Sequence, residues 1–384
     1  MRTICVVVGS RANYSSIKSV MRAVQAHPDL ALQVVVGASA LLDRYGSVVK
    51  FMEKDGFAPD ERVHMLIEGE TPLTMAQSTG LGLIELARVF DRLRPDAVVT
   101  VGDRFETMAT AVAAAYMNIP LAHTMGGEVS GTIDESIRHA VTKLAQLHFP
   151  SNDRAADRII RMGEDPKRVH VVGCPRMDLV AEVARLHSDP ASLPLLLQEG
   201  VGGGIDFRKP YLLVMQHPVT TEYGQGRDQI EETLKAIEEL HIPTIFFWPN
   251  ADAGSEDIAQ GIRIFREHKD DSYIRFYKNL PVETFIPIMR HCACMVGNSS
   301  AAIREGSFLG VPVVNVGTRQ TGRDRGANIL DAGHDHAAIV SAVKKQLAHG
   351  PYEPDTLYGD GTAGEKIADI LSTATLSVQK QLTY

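Results

Sequence analysis

The sequence predicts an α/β protein with two Rossmann-like domains, each built on a parallel sheet. Short apolar runs rich in β-branched residues alternate with amphipathic stretches from one end of the chain to the other. The runs are continuously apolar, which is typical of strands that are covered on both faces of a sheet. The chain has 384 residues, which suits two domains better than one.

These runs place the individual elements. The main predicted strands are Ile4–Val8, Leu32–Val36, Ala97–Val101, Val169–Val172, Tyr211–Met215, Thr244–Trp248, Cys294–Val296 and Val313–Val316, with a shorter one at Pro120–Ala122. Apolar residues at helical spacing predict helices that end before Pro95 and before Pro243. The pattern weakens over residues 186–209, where prolines and a glycine-rich run predict a linker. Ligands of such folds lie at the carboxyl ends of the strands, so functional residues are expected there.

Composition excludes several classes of protein. The net charge of −8 gives no overall positive field for nucleic acid or an anionic membrane. No stretch approaches the roughly 18 apolar residues of a membrane span, and the N-terminus lacks the features of a signal peptide. The four scattered cysteines do not form a disulfide framework, and we interpret Cys292 and Cys294 as buried thiols rather than metal ligands. We therefore expect a soluble cytoplasmic protein.

Charged residues follow two strands of the first half. The turn after the first strand contains Gly9, and Arg11 and Ser15 at the start of the next helix could hold an anion. A capped helix with a surface arginine explains the same residues equally well. Asp103 and Arg104 lie side by side at the end of a buried strand, which is costly unless the charges are paired or used. Asp103 could act as a base and Arg104 could bind a phosphate or sugar; a structural ion pair is the alternative.

The loop at residues 123–139 combines three carboxylates, two histidines and several glycines after a short strand. The glycines allow the backbone to approach a ligand closely. Asp134 also suits a helix N-terminus, where capping would explain it, and it would share a helix face with Arg138. The density of polar groups favours a functional site.

Polar side chains again follow the strands of the second half. They are His217, Asn250, Ser299, Ser300, Glu305 and Arg319. Pro218 makes the loop that carries His217 rigid, and the Gly-Asn-Ser-Ser run predicts a helix N-terminus that offers N–H groups and hydroxyls to a phosphate. Glu305, in that helix, could accept both hydroxyls of a ribose, and Arg319 adds a bidentate cation for a diphosphate. Together these residues predict a site for a nucleoside diphosphate.

Seven motifs, in order along the chain, carry a resemblance to a known family. They are Gly-Ser-Arg-Ala-Asn-Tyr-Ser at 9–15, Gly-Asp-Arg-Phe-Glu at 102–106, Gly-Gly-Glu-Val-Ser-Gly-Thr-Ile-Asp-Glu-Ser-Ile-Arg-His-Ala at 126–140, Gln-His-Pro at 216–218, Pro-Asn-Ala-Asp-Ala-Gly at 249–254, Gly-Asn-Ser-Ser at 297–300 and Gly-Thr-Arg-Gln at 317–320. With them the chain resembles the hydrolysing UDP-N-acetylglucosamine 2-epimerases of sialic acid and legionaminic acid biosynthesis. Non-hydrolysing relatives typically have Gly-Thr-Arg-Pro-Glu at the first turn, where this chain has Gly-Ser-Arg-Ala-Asn.

The resemblance implies a glycosyltransferase-B-like fold with an inter-domain cleft. We place the N-terminal domain at residues 1–174 plus a returning C-terminal helix at 366–384, and the nucleotide-binding domain at 175–365. The implied reaction is anti elimination of the nucleotide from UDP-N-acetylglucosamine, or a related 2-acetamido nucleotide sugar, to a 2-acetamidoglucal. Hydration then gives N-acetylmannosamine or its analogue. No metal or redox cofactor is implied, and the family suggests a homodimer or homotetramer.

The resemblance also assigns roles to residues. Those that would contact the nucleotide diphosphate are Arg11, Ser15, Arg104, His217, Asn250, Ser299, Ser300, Glu305 and Arg319. Asp103 and Asp134 match acidic residues assigned to catalysis. His217 is a further catalytic candidate, because it would stabilise the charge that develops on the departing diphosphate.

One position departs from the family pattern. Met125 stands where a catalytic glutamate is often found, and a thioether cannot transfer a proton. Glu128, Asp134 or His123 could take over that role, or the substrate or mechanism is altered. A GDP-linked or 4-acetamido-6-deoxy sugar substrate, a non-hydrolysing epimerase, a glycosyltransferase and a nucleotide-sugar sensor without turnover remain as alternatives.

Overall fold

The computed structural model describes residues 1–69, 71–131, 133–186, 205–249, 254–278 and 280–383. The chain divides into two compact units. Unit 1 consists of the described residues of Met1–Val129, Ile133–Leu179 and Tyr358–Tyr384, and unit 2 of those of Ser130–Thr132 and Val180–Leu357. Most of the predicted linker, and the candidate site residue Asn250, lie outside the described residues.

Unit 1 is built on a parallel sheet of six strands in the order β3-β2-β1-β4-β5-β6. The strands are Arg2–Val8 (β1), Leu30–Gly37 (β2), Glu61–Val63 (β3), Ala97–Val101 (β4), Leu121–Thr124 (β5) and Leu147–Phe149 (β6). In the centre, Val6 pairs with Val34 on one side and Val99 on the other. All three valines are buried, as strands with helices on both faces require.

Helices connect these strands. They are Arg11–Ala26 (α1), Val48–Lys54 (α2), Pro72–Leu93 (α3), Phe105–Tyr116 (α4), Ile133–Leu144 (α5), Asp153–Arg161 (α6) and Pro175–Leu186 (α7), with 3-10 turns at Ala38–Leu41, Asp43–Tyr45 and Pro166–Arg168. The helix predicted before Pro95 is confirmed as α3. It begins at a capping box between Thr71 and Thr74 and ends at Arg94, whose φ of +46° cannot continue a helix.

Unit 2 repeats the architecture with a second parallel six-stranded sheet, in the order β12-β11-β10-β7-β8-β9. Its strands are Leu212–Met215 (β7), Thr244–Phe247 (β8), Ile274–Tyr277 (β9), Cys294–Gly297 (β10), Val313–Val316 (β11) and Ile329–Ala332 (β12). Its helices are Gly226–Leu240 (α8), Ser255–His268 (α9), Val282–His291 (α10), Ser300–Ile303 (α11), Glu305–Leu309 (α12) and His336–His349 (α13), with a 3-10 turn at Thr220–Glu222. The predicted fold class, two Rossmann-like α/β domains with parallel sheets, is confirmed.

Three details of the prediction need correction or confirmation. Val169–Val172 is not a strand: only Val169 forms an isolated bridge, to His148 of the neighbouring strand β6. The last helix covers Ala363–Thr373 (α14) and residues 374–383 are not helical, where the sequence predicts a helix over 366–384. Cys292 and Cys294 are buried thiols as expected, and burial raises the pKa of Cys294 to about 12.

Among the described residues, no helix is long and apolar enough to cross a bilayer.

Candidate functional site

The turn after β1 is closed by two polar side chains. Ser10 Oγ accepts a hydrogen bond from the Asn13 N–H, and Asn13 Oδ1 accepts one from the Gly9 N–H, each at 3.2 Å. A Cβ on Gly9 would lie 2.3 Å from Cγ of Glu106, so only glycine fits this position. The turn therefore begins α1 in one defined geometry and places Arg11 in the first helical position.

Asp103 and Arg104 each pair with a charged residue on a helix. Arg104 Nε donates to Glu106 Oε1 at 3.0 Å, while Asp103 pairs with Arg138 of α5. Both charges are thus used in ion pairs, as the structural alternative of the sequence analysis requires, with partners on α4 and α5. Arg104 and Asp103 keep 18% and 25% of their side-chain surface exposed, so both remain partly accessible.

Arg138 lies among three acidic residues of the candidate site in unit 1. Its side chain is 1% exposed; Nη2 bonds Asp103, and Nη1 donates to the Glu128 carbonyl oxygen at 2.7 Å. Burial opposes the charged form, but the negative charges of Asp103 and Glu128, and that of Asp134 one helical turn earlier, raise the pKa of Arg138 above its ordinary value. The predicted shared face of Asp134 and Arg138 therefore lies beside Asp103.

His123 holds the strand end that precedes Asp103. The ring is fully buried, with Nε2 2.8 Å from the Gly102 carbonyl oxygen and Nδ1 3.2 Å from Thr142 Oγ1. Because a carbonyl can only accept, Nε2 carries the proton. Burial lowers the pKa of His123 to about 4, although the bond to Gly102 favours the charged form. His123 is neutral at pH 7 and fixes the Gly102 turn, which argues against it as the acid that replaces the missing glutamate.

The low pKa of His123 predicts a specific loss of stability in acid. Between pH 6.5 and pH 4 the unfolded chain binds a proton that the folded protein does not, so the contribution of neutral His123 is complete above pH 6.5 and is lost as the pH falls. The loss is on the order of 3 kcal/mol. We expect His123→Gln to flatten the fall in urea midpoint between pH 7.5 and 4.5, whereas His349→Gln, at an exposed site, leaves it unchanged. Identical pH profiles for the wild type and His123→Gln would contradict this.

Glu128 and Met125 are both buried. Glu128 is 2% exposed, and its Oε1 accepts a hydrogen bond from Ser151 Oγ at 2.8 Å. Met125 is 6% exposed, has a φ of +62°, and its N–H donates to the Phe149 carbonyl at 2.9 Å. Asp103 and Asp134 are instead partly exposed, as is Glu135. Of the three replacements that the sequence suggested, Asp134 is therefore the one with access to solvent.

In unit 2, Asn298 joins the loops that follow three neighbouring strands. Its Oδ1 accepts from the His217 N–H at 2.7 Å, and its Nδ2 donates to the His217 carbonyl at 2.8 Å. Its own carbonyl oxygen accepts from Gln320 Nε2 at 2.8 Å and from Arg319 Nη1 at 3.2 Å. Gly297, before it, has a φ of +126°, and a Cβ there would lie 2.1 Å from the Met215 carbonyl oxygen. Asn298 thus brings two predicted site residues, His217 and Arg319, to one point.

Removing the Asn298 side chain should destabilise unit 2. Asn298→Ala removes the two hydrogen bonds that this side chain makes to the buried backbone of His217, and each buried polar group that loses a hydrogen bond costs about 1–3 kcal/mol. Asn298→Asp keeps the acceptor but buries a charge and sets a carboxylate oxygen against the His217 carbonyl oxygen, so we expect it to be at least as unstable as the Ala variant. Urea unfolding followed by circular dichroism measures the stability of both variants against the wild type. An Ala variant as stable as the wild type would contradict the role assigned to this side chain.

The Gly-Asn-Ser-Ser segment differs from the single helix that the sequence predicts. Ser299 Oγ accepts from the Ala301 N–H at 3.3 Å and caps α11, which is only four residues long. The backbone bends at Arg304, whose Nη2 donates to Ser300 Oγ at 3.0 Å. Glu305 then opens α12 and is 5% exposed. A four-residue helix has a weaker dipole than a long one, so the hydroxyls rather than the dipole are what this segment offers an anion.

The Arg319 loop is held by bonds within unit 2. The Gly131 N–H donates to the Arg319 carbonyl oxygen at 3.1 Å, and Thr221 Oγ1 donates to the Gly131 carbonyl at 3.3 Å. A Cβ on Gly131 would lie 2.3 Å from the Thr318 carbonyl oxygen, so glycine is required at this contact. The backbone of the Arg319 loop is therefore fixed independently of its side chain.

Comparison with known proteins gives a consistent result. The family model described as UDP-N-acetylglucosamine 2-epimerase matches residues 22–372. The UDP-N-acetylglucosamine 2-epimerase of Neisseria meningitidis is 32% identical over 99% of this chain and 98% of its own length. The hydrolysing UDP-N,N'-diacetylbacillosamine 2-epimerase of Legionella pneumophila is 31% identical over the same shares. A crystal structure of a UDP-N-acetylglucosamine 2-epimerase from N. meningitidis bound to UDP-N-acetylglucosamine, whose chain is only 16% identical to this one, has a TM-score of 0.80 and covers 96% of this chain and 99% of that chain.

Proposed function

Because this chain belongs to the UDP-N-acetylglucosamine 2-epimerase family, we propose that it is a hydrolysing member, which releases the 2-epimeric sugar from its nucleotide. The observation that carries the proposal is the first turn, Gly-Ser-Arg-Ala-Asn. In it, the side chain of Ser10 accepts a hydrogen bond from the Asn13 N–H, and the side chain of Asn13 accepts one from the Gly9 N–H. The non-hydrolysing sequence, with proline and glutamate in this turn, would lose the Asn13 bond to the Gly9 N–H. The names of two relatives at 31% and 30% identity, both described as hydrolysing, support it.

The proposed chemistry begins with departure of the diphosphate. The hydrogen on C2 of a 2-acetamido sugar is not acidic by itself, so elimination requires early breaking of the C1–O bond and stabilisation of the leaving group. We assign this stabilisation to Arg11 and Arg104 of unit 1 and to Arg319 of unit 2, with His217, Ser15, Ser299 and Ser300 as further contacts and Glu305 on the ribose. His217 and Arg319 suit the task because Asn298 fixes both.

Proton transfer is assigned to Asp103 and Asp134. One carboxylate removes the C2 proton as the diphosphate leaves, which forms the C1–C2 double bond of the 2-acetamidoglucal. A proton then returns from a carboxyl group to C2 on the opposite face, and the oxygen of water bonds to C1 while a carboxylate accepts the proton that the water loses. Both carboxylates are partly exposed and lie beside Arg138, whereas Glu128 is buried on Ser151 and His123 is neutral. The buried Met125 leaves Asp134 as the group that takes the glutamate's role.

A diacetylbacillosamine nucleotide is a second candidate substrate. The relatives named for UDP-N-acetylglucosamine and for UDP-N,N'-diacetylbacillosamine are 32% and 31% identical to this chain, so identity does not separate them. The two sugars differ at C4 and C6, away from the bonds that the reaction changes. The same acid–base residues would therefore serve either substrate.

Phosphorus NMR tests the proposal with each nucleotide sugar in turn. The expected result is loss of the sugar-linked diphosphate signals and growth of those of free UDP without any added acceptor. An epimerised sugar still attached to UDP would identify a non-hydrolysing enzyme and contradict the proposal. Binding of both nucleotide sugars without turnover would instead support a sensor, which Met125 leaves as the competing interpretation.

A further inference from the structure

The C-terminal tail, residues 374–383, is bound to unit 1 along its length although it is not helical. The Ala374 carbonyl accepts from Arg2 Nη1 at 3.0 Å, and the Thr383 N–H donates to the Gly163 carbonyl at 3.1 Å. Between them lies Lys380, which is partly buried. The tail therefore follows a defined path along unit 1, and this path fixes the position of Lys380.

Lys380 satisfies the carboxyl end of α5. Its Nζ donates to the Ala145 carbonyl oxygen at 2.7 Å and to the Thr142 carbonyl oxygen at 3.3 Å. Carbonyls at this end of a helix have no partners within the helix and carry its partial negative charge, so a lysine there is stabilising. The helix whose end Lys380 fixes is the one that carries Asp134 and Arg138.

A buried carboxylate holds Lys380 in place. Glu164 Oε2 is 2.7 Å from Lys380 Nζ and 3.1 Å from His148 Nε2, and its Oε1 accepts from Lys143 at 2.5 Å. Burial by itself would raise the pKa of Glu164, but the bonds from His148, Lys143 and Lys380 hold it at about 2. Glu164 is therefore an anion throughout the physiological range and keeps the lysine from rotating away into solvent.

Thr142 connects this end of the helix to the candidate site. Its carbonyl is one of the acceptors of Lys380, and its Oγ1 donates to the Arg138 carbonyl at 3.0 Å and lies 3.2 Å from Nδ1 of His123. Arg138 pairs with Asp103, and His123 bonds Gly102 next to it. A movement of Thr142 would therefore displace both Arg138, which pairs with Asp103, and His123, which bonds the neighbouring Gly102.

We propose that Lys380 is a positioning residue for the Asp103–Arg138 pair, acting through Thr142 and α5. This inference rests on the proposed function, because it assigns Lys380 to the reaction that Asp103 serves. A misplacement of reacting groups by about 1 Å can cost on the order of 10²-fold in rate, so a small movement of α5 is enough to be measured.

Kinetics of Lys380 variants test the proposal. We expect Lys380→Met to lower kcat about tenfold with KM changed less than about twofold, because substrate contacts stay in place. Lys380→Arg should restore most of kcat, since a guanidinium still donates to both carbonyls. Lys366→Met is the matched control: Lys366 lies in α14, the helix that precedes the tail, and pairs with the exposed Asp360 at 3.1 Å. If Lys380→Met is too unstable to purify, Lys380→Gln, which keeps a donor, takes its place.

Hydrogen exchange separates this inference from the proposed function. Lys380→Met should speed amide exchange in peptides that cover residues 100–106 and 133–144, whether or not the wild type hydrolyses the substrate tested. Unchanged exchange in residues 100–106 would overturn the proposal. A variant that melts at lower temperature but turns over at the wild-type rate at 25 °C would also overturn it, because Lys380 would then be a structural clamp only.

Discussion

Asp103→Asn is expected to lower turnover by about 10²-fold or more. The substitution keeps the shape of the side chain and an oxygen for Arg138 but removes the charge that accepts a proton, and loss of a general acid–base group typically costs 10²–10⁴-fold. The measurement is kcat for release of UDP from the nucleotide sugar under saturating conditions. The change should appear in kcat, because Asp103 is not assigned to nucleotide binding.

A control for Asp103→Asn lies at the opposite end of β4. Asp96 precedes the amino end of β4, where its Oδ2 accepts from the Thr3 N–H at 2.8 Å, and an asparagine can keep that bond. We expect Asp96→Asn to turn over normally. Near-normal turnover by Asp103→Asn as well would remove Asp103 from the acid–base machinery and leave that role to Asp134 alone.

Arg138→Lys is expected to lower kcat by on the order of 10²-fold while the protein stays folded. Two nitrogens of the guanidinium bond different groups, Asp103 and the Glu128 carbonyl. A lysine has one shorter, non-planar donor group, so it cannot hold both, and Asp103 is released from its position. Steady-state kinetics with circular dichroism as a check on folding measures the effect.

Arg88→Lys provides the comparison for Arg138→Lys. Arg88 forms an exposed pair with Glu85 at 3.5 Å, and such surface pairs contribute little to stability. We expect this variant to match the wild type. If Arg138→Lys also matched it, the bidentate contact would be unnecessary for positioning Asp103, and the inference about Lys380, which acts through the same arginine, would fail with it.

The strands that the sequence did not predict share a physical property. Glu61–Val63, Leu147–Phe149, Ile274–Tyr277 and Ile329–Ala332 are the edge strands of the two sheets. An edge strand has a neighbour on one side only and tolerates residues such as Glu61, Arg275 and Asp331, so its apolar run is short or interrupted. A continuous apolar run therefore identifies central strands and misses edge strands. It also wrongly predicted a strand at Val169–Val172, where only Val169 forms an isolated bridge.

Partners of the site residues were harder to predict than their positions. Polar residues after the strands could be found because the carboxyl ends of parallel strands converge. That Asp103 pairs with Arg138 depends on where α5 lies, which no local pattern shows. Asn298 was visible only as part of the Gly-Asn-Ser-Ser motif, and its bonds to His217 and Gln320 join residues far apart in the chain.

One reaction in deuterium oxide tests whether the protein both hydrolyses the nucleotide sugar and epimerises it at C2. Proton NMR of the protein with UDP-N-acetylglucosamine should show free UDP and N-acetylmannosamine appearing together, with deuterium on C2, because the proton removed by Asp103 or Asp134 exchanges with solvent before the second face is protonated. If UDP-N,N'-diacetylbacillosamine is the true substrate, its 2-epimer should carry the same label. A released sugar that retains the hydrogen and configuration at C2 would contradict the elimination mechanism.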